Sequence, residues 1–241
     1  MIAAFGKIPI DKIIDGAISL SQGLNATHEY SKCCPEDTSE GIRHNDGWGA
    51  VYLNRNRDLS CVKSGMRIDK DTKVTGLKRL ETSAFVIHVR KASVKWNTGI
   101  EFVHPIESQV NDRPAYFFHN GFAPDIFRLL GRRRSVWDSE ELYEWLAPSF
   151  SAQAKPPLEH RLNQLPSSTT SANFIFIQME RLVVCNWFSN QCMSPQYYTM
   201  RLLKTEDQTI IASDWISEIA PLEDWHPIPN KTILCFDLSP G

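Results

Sequence analysis

The apolar residues of this chain come in runs too short to cross a membrane but of the length that fills a buried strand. The longest, at 84–87, 174–177 and 182–185, fall far below the ~20 residues a spanning helix needs. Around them the pattern changes period. Ile10, Ile13, Ile14, Ala17 and Ile18 recur at helical spacing after a short opening strand at 2–5. The runs 48–53 and 59–63 flank a polar turn and predict a hairpin, and helical character returns at 69–80. Buried strands are expected at 83–89 and 114–118, separated by a polar stretch, 93–113, of a length that usually carries function. Helices are expected at 124–130, 139–146 and 158–165, the second with Asp138 as its N-cap and Glu140 and Glu141 complementing the dipole. The last third reads as strands at 174–178, 182–188, 196–202, 209–213 and 232–237. Strands at both ends with helices between them predict an α+β layered domain, not a doubly wound parallel sheet, and 1–241 is expected to form a single domain. The polar stretch 22–44 is expected to be a surface loop.

Lys and Arg number 26 against 28 Asp and Glu, a net charge of -2, which supplies no field to gather phosphates and argues against a nucleic-acid partner. The opening apolar stretch has no basic residue ahead of it and is cut short by Lys7, so no export signal is read and a cytoplasmic location is expected. The six cysteines form no C-x-x-C pair and read as reduced thiols. Cys185 and Cys192 would close a small loop only in an oxidising compartment. Cys33, Cys34 and His44 are a conceivable metal set, but adjacent cysteines do not readily both face one tetrahedral ion, so no metal site is expected.

Three polar clusters stand at the ends of apolar segments, where a rigid scaffold aims side chains into a common edge: His88-Val89-Arg90, His119-Asn120-Gly121 and Trp137-Asp138-Ser139-Glu140. Arg90 is a fixed cation suited to a carboxylate, and Asp138 a fixed anion suited to an ammonium; together they would hold an α-amino acid by both ends. Asn120 and Gly121 offer a side-chain and a backbone N–H, the pair of donors that stabilises a tetrahedral oxyanion. The implied reaction is acyl transfer from an amino-acid-like donor. Singly, each cluster has a plainer reading as a turn, a surface charge or a helix cap. Arg132-Arg133-Arg134 reads more simply as a solvated basic run beside a helix end. Of the seven tryptophans, Trp96 in the long loop is the best candidate to stack on a ligand.

In their order the clusters resemble the class II glutamine amidotransferases, a family of N-terminal-nucleophile hydrolases. His44-Asn45-Asp46-Gly47-Trp48-Gly49 is similar to the family's Asp-Gly-Trp-Gly segment, and His88-Val89-Arg90-Lys91-Ala92-Ser93 to its His-x-Arg-x-Ala-Thr/Ser strand end. His104-Pro105, His119-Asn120-Gly121 and Asp138-Ser139-Glu140 match its later motifs, and Tyr197-Tyr198-Thr199 with Ala212-Ser213-Asp214 resembles the compact stand-alone branch that includes γ-glutamyl amide hydrolases. The resemblance implies a four-layer α/β/β/α sandwich. It further implies Arg90 on the substrate α-carboxylate, Asp138 on its α-ammonium, Asn120 and Gly121 as the oxyanion hole, and His104 beside the substrate pocket, with Asp46 to Gly49 shaping the hairpin beneath. No metal or organic cofactor is implied. Any ammonia released would pass to a separate synthase subunit.

The family's nucleophile is an N-terminal cysteine whose α-amine serves as base. This sequence opens Met1-Ile2, and neither residue can take that role. The compact branch typically opens Met-Cys-Arg-x-x-(Gly/Ala)-x-x-Gly, a pattern that Met1 to Gly6 fits from its fourth residue on, as if a start three codons upstream had been passed over. The expected function is therefore a glutamine or γ-glutamyl amidohydrolase acting through a cysteine thioester. The alternative is a nucleophile-less γ-glutamyl-binding or regulatory protein, and a weaker third reading is an N-terminal-nucleophile hydrolase acting on another amide. The completeness of Arg90, Asn120, Gly121 and Asp138 favours the first.

Overall fold

The computed structural model describes residues 1–24, 43–93, 96–151, 157–179, 181–192 and 194–238. Most of the polar loop expected at 22–44, with Cys33 and Cys34, lies outside them.

Two antiparallel sheets form the framework. One has seven strands in the order β11-β9-β10-β1-β4-β2-β3, the other five in the order β12-β8-β7-β6-β5. The first sheet contains β1 (Ile2–Gly6), β2 (Trp48–Leu53), β3 (Leu59–Ser64), β4 (Ala84–Val89), β9 (Arg201–Lys204), β10 (Gln208–Ala212) and β11 (His226–Pro227). The second contains β5 (Ile106–Val110), β6 (Arg113–Phe122), β7 (Ser171–Gln178), β8 (Arg181–Asn186) and β12 (Thr232–Asp237). The helices are α1 (Ile10–Gln22), α2 (Lys73–Leu77), α3 (Asp138–Leu146), α4 (Leu158–Leu162) and α5 (Pro195–Tyr198).

The period-2 alternation of strand side chains divides the apolar residues into three cores and so stacks the elements in four layers. Ile2, Ala4, Phe85 and Ile87 pack outward from the first sheet onto Ile10, Ile13, Ile14 and Ala17 of α1. Phe117, Phe174 and Phe176 pack outward from the second sheet onto Leu142 and Leu146 of α3 and Leu158 and Leu162 of α4. The opposite faces meet each other: Met1, Ala3, Val51 and Val86 of one sheet contact Phe118, Ile175, Ile177 and Val184 of the other. This is the α/β/β/α sandwich anticipated from the sequence.

Most expected strands form, and the helix expected at 158–165 ends at Leu162; other elements differ further. The long stretch 93–113 is not all loop, because Ile106–Val110 adds an edge strand whose half-exposed, alternating pattern lacks a continuous apolar run. The stretch 196–202 is a helical turn, Pro195–Tyr198, followed by a strand that starts only at Arg201, as Pro195 favours a first helical turn over a ladder position. The helix expected at 69–80 shrinks to Lys73–Leu77 after a short 3₁₀ turn at Ile68–Lys70, and that at 124–130 to the 3₁₀ turn Ile126–Arg128. Cys61, Cys185 and Cys235 are free thiols. No described helix is long and apolar enough to cross a membrane.

Candidate active site

Strand alternation also decides which polar groups meet. On β4, Ala84 and Val86 face the gap between the sheets, so His88, and Arg90 just past the strand end, point the same way. On β6, Phe118 faces the gap, and Asn120 two residues on faces it too. His119, on the other face, reaches α3. These ends converge on a cavity of about 810 Å³ lined by His44, His88, Arg90, His104, His119, Asn120, Gly121 and Asp138, with the exposed Trp96 and Arg134 at its mouth and Trp137, Tyr197 and Tyr198 also on its wall. All five site residues singled out in the sequence, Arg90, His104, Asn120, Gly121 and Asp138, are thus brought together.

Arg90 is only 5% exposed. One of its guanidinium nitrogens donates to the Asn97 carbonyl oxygen at 2.7 Å, and its cation lies 5.9 Å from the centre of the Phe102 ring. Burial pulls its pKa down, while the carboxylates of Asp46 and Asp138 push it up. Asp46 also splints the strand end: its backbone N–H donates to the Arg90 carbonyl at 2.9 Å, and its carboxylate accepts the Ala92 N–H at 2.7 Å. Gly47, at φ 103°, allows the close turn, and the Arg90 N–H donates to its carbonyl at 2.9 Å.

Asp138 is the first residue of α3 and does not cap it; Trp137 occupies the N-cap and makes no side-chain cap bond. The Asp138 carboxylate instead accepts the Ala123 backbone N–H at 2.8 Å, which ties the helix start to the residue after β6 and corrects the capping role expected from the sequence. Behind it, His119 Nδ1 lies 2.9 Å from the Ser139 hydroxyl, and its Nε2 lies 3.4 Å from the Ser171 carbonyl. The second contact requires Nε2–H, leaving Nδ1 to accept the Ser139 proton. Among the described residues nothing holds the Asn120 side-chain amide, which lines the cavity. Gly121 has no room for a side chain: a Cβ there would stand 2.0 Å from the Ser171 carbonyl oxygen.

The cavity floor is rich in imidazoles, and burial holds all of them toward the neutral form. His88 and His104 are pushed well below the usual value by burial and then by neighbouring charges, and His44 is lowered to about 3. His119 is lowered by burial against the opposing pull of Asp138. Their arrangement supplies neutral donors and acceptors, not cations. No group of three or more metal-ligating side chains occurs among the described residues, and no cysteine lines the cavity. Burial raises the Cys61 thiol to about 12 and pushes Cys185 up as well, so neither is an activated nucleophile.

Solved structures share this architecture. PRPP amidotransferase from B. subtilis superposes with a TM-score of 0.59 at 17% identity over 88% of this chain. The match covers 41% of that chain, so the present chain spans about two fifths of its length. A glutamine aminotransferase class-II domain protein from Silicibacter pomeroyi superposes at 0.59 with 14% identity, covering 97% of this chain and 93% of the other. The chain has the class II glutamine amidotransferase fold. A predicted glutamine amidotransferase from Pseudomonas aeruginosa superposes with a TM-score of 0.50 at 14% identity, over 98% of this chain and 93% of the other. No family model and no curated protein matches the sequence. Within the amidotransferase fold the cavity sits at the end of the inter-sheet gap, fed by β4, β6 and the start of α3.

Three residues of the site take roles that the sequence did not indicate. Asn97 supports Arg90 through its carbonyl and bonds the Val136 carbonyl through its side chain. Ser139 orients His119, and Arg134 reaches the cavity mouth. Asn97 acts on Arg90 through its backbone carbonyl and Ser139 on His119 through a side-chain contact across the fold, for which spacing along the chain gives no signal. Cys33 and Cys34, conceivable metal ligands with His44, lie outside the described residues.

Proposed function

We propose that this domain cleaves a glutamine or γ-glutamyl amide through a cysteine thioester, with no metal or organic cofactor. The observation that carries the reading is that one buried cation, Arg90, and one carboxylate, Asp138, line the same cavity as the Asn120 side-chain amide, which no described residue engages. Arg90 takes the α-carboxylate and Asp138 the α-ammonium, which sets the γ-carbonyl toward Asn120 and the Gly121 N–H. A thiolate adds to that carbon and the oxyanion is stabilised by the two donors. The C–N bond then breaks as the leaving amine takes the proton the thiol gave up, and water hydrolyses the thioester to glutamate and free thiol. His104 lines the substrate pocket.

The strand register supports a nucleophile two residues ahead of Met1. Ile2 pairs with Ile87 and Ala3 with Val86, so a continued β1 brings the residue before Met1 level with Val89 and the next level with Arg90. That second residue falls on the same face as Met1 and Ala3, the gap face, whereas Ile2 faces α1. A preceding Met-Cys-Arg puts cysteine there. We read 1–241 as one domain working in the reducing cytoplasm, with any ammonia released available to a separate synthase chain.

The deciding experiment is intact mass of the chain as given and of a form extended by Met-Cys-Arg, each treated with a diazoketone glutamine analogue. One adduct, confined to the extended form and mapped to its new cysteine, is expected. No adduct on either form, with retained binding of a γ-glutamyl compound, replaces this reading with a nucleophile-less binding or regulatory protein.

A further inference from the structure

Glutamine releases ammonia, which needs no recognition, yet the cavity is far larger than one amino acid requires. Its volume of about 810 Å³ is in the upper part of the range that encloses drug-sized ligands. Beyond the Arg90–Asp138 pair, its charged lining is Lys91 and Arg134, both cationic, in a chain of net charge -2. Arg134 belongs to the basic run 132–134, which the sequence suggested was only solvated. The structure separates the members: Arg132 is paired with Glu144 at 2.8 Å, while Arg134 lines the cavity mouth and is engaged by no described residue.

The segment that carries Arg134 is tied down. The Ser135 N–H bonds the Glu141 carboxylate, the Trp137 N–H donates to the Ser135 hydroxyl at 3.2 Å, and the Asn97 side chain bonds the Val136 carbonyl. Asn97 in turn accepts from Arg90, so the Arg90 side chain and the Arg134 loop hang on one residue. Trp96, next to Asn97, is 79% exposed and lines the same mouth. A guanidinium engaged by no described residue, lining the same cavity as an exposed indole, suits an anionic group on a flexible body.

Resting on the amidase reading above, we propose that Arg134 forms a second subsite for a carboxylate on the amine half of the substrate, so that the preferred amide is a γ-glutamyl amino acid or short γ-glutamyl peptide. The amide carbonyl lies between the two cationic poles, with Arg90 holding the glutamyl end and Arg134 the far end.

The test measures binding by tryptophan fluorescence and calorimetry with two probes that share the γ-glutamyl group, γ-glutamylglycine and uncharged γ-glutamylethylamide, at low and high salt. The wild-type chain is expected to bind γ-glutamylglycine roughly five- to tenfold more tightly, with the margin shrinking in high salt. Arg134→Glu removes that margin and leaves γ-glutamylethylamide binding unchanged; Arg134→Ala removes most of it. Equal affinity of the wild-type chain for both probes, or a margin that survives Arg134→Glu, overturns the subsite alone. Failure of the wild-type chain to bind either probe overturns the γ-glutamyl reading and the subsite with it.

Discussion

The rings of His88 and His104 meet edge to face with centroids 4.7 Å apart, and His104 meets Trp137 in the same way at 5.2 Å. Among the described residues His88 Nδ1 and both ring nitrogens of His104 are buried without a hydrogen-bond partner. Orphaned polar atoms of this kind cost free energy unless a ligand or ordered water satisfies them. They lie on the wall of the candidate site.

These imidazoles set an acid limit on stability. Their folded pKa values lie below the ordinary 6.5, so on acidification the unfolded chain takes up protons that the folded chain refuses. Their contribution is complete above about pH 6.5 and is lost as pH falls toward the folded values, about 3 for His44. Thermal midpoints are expected to fall from pH 6.5 to 5, by roughly 2–4 °C for each kcal/mol lost. His104→Gln, which cannot be protonated, flattens that fall. An acid dependence identical to the parent's would remove His104 from this account.

Glycine at two positions is set by contact. A Cβ at Gly121 would lie 2.0 Å from the Ser171 carbonyl oxygen, and one at Gly49 would lie 2.1 Å from the His104 carbonyl oxygen. Both obstacles are backbone and cannot rotate away. Gly121→Ala and Gly49→Ala are each expected to cost about 1–3 kcal/mol in urea titrations as the neighbouring strand or loop gives way. Gly76→Ala meets nothing within 4 Å and serves as the control expected to leave stability near the parent's.

On a form carrying the upstream cysteine, kinetics separate grip from catalysis. Arg90→Ala and Asp138→Ala remove charges that hold the substrate in both ground and transition states, so each is expected to raise KM for a γ-glutamyl amide more than it lowers kcat. Asn120→Ala removes a donor needed when the oxyanion forms and is expected to lower kcat by roughly 100–1000-fold with KM little changed. Steady-state assays of released glutamate distinguish the patterns. Parent-like kinetics in all three variants would sink the assignment.

The sequence made the layers legible because burial imposes its period directly: β4 and β7 are continuous apolar runs, and α1 shows its stripe. The edge strand β5 escaped because half of it faces solvent and its pattern, Ile106-Glu107-Ser108-Gln109-Val110, is mainly polar. Arg90, Asp138, Asn120 and Gly121 were legible as candidates through the order of their clusters, since each alone reads equally as a surface charge, a helix cap or a turn. Their supports were not. Asn97 holds Arg90 with a backbone carbonyl, and Asp138 is fixed by the Ala123 N–H, contacts that depend on where loops return and leave no mark in residue spacing.

The pairing of His119 with Ser139 gives a final prediction, because it ties β6, which carries Asn120, to the helix that carries Asp138. The Ser139 hydroxyl is buried and lies 2.9 Å from His119 Nδ1. Ser139→Ala strips the acceptor nitrogen of its partner at a buried position, and an unsatisfied buried group of this kind costs about 1–3 kcal/mol. The loss is not confined to stability, since the start of α3 is then held to β6 chiefly by the Asp138–Ala123 bond. In the cysteine-bearing form, Ser139→Ala should raise KM as the ammonium-binding carboxylate loses its fixed position. Ser139→Thr, which keeps the hydroxyl, should recover part of both losses. If Ser139→Ala lowered stability with KM unchanged, the bond would be structural only and Asp138 would be positioned by its backbone contact alone.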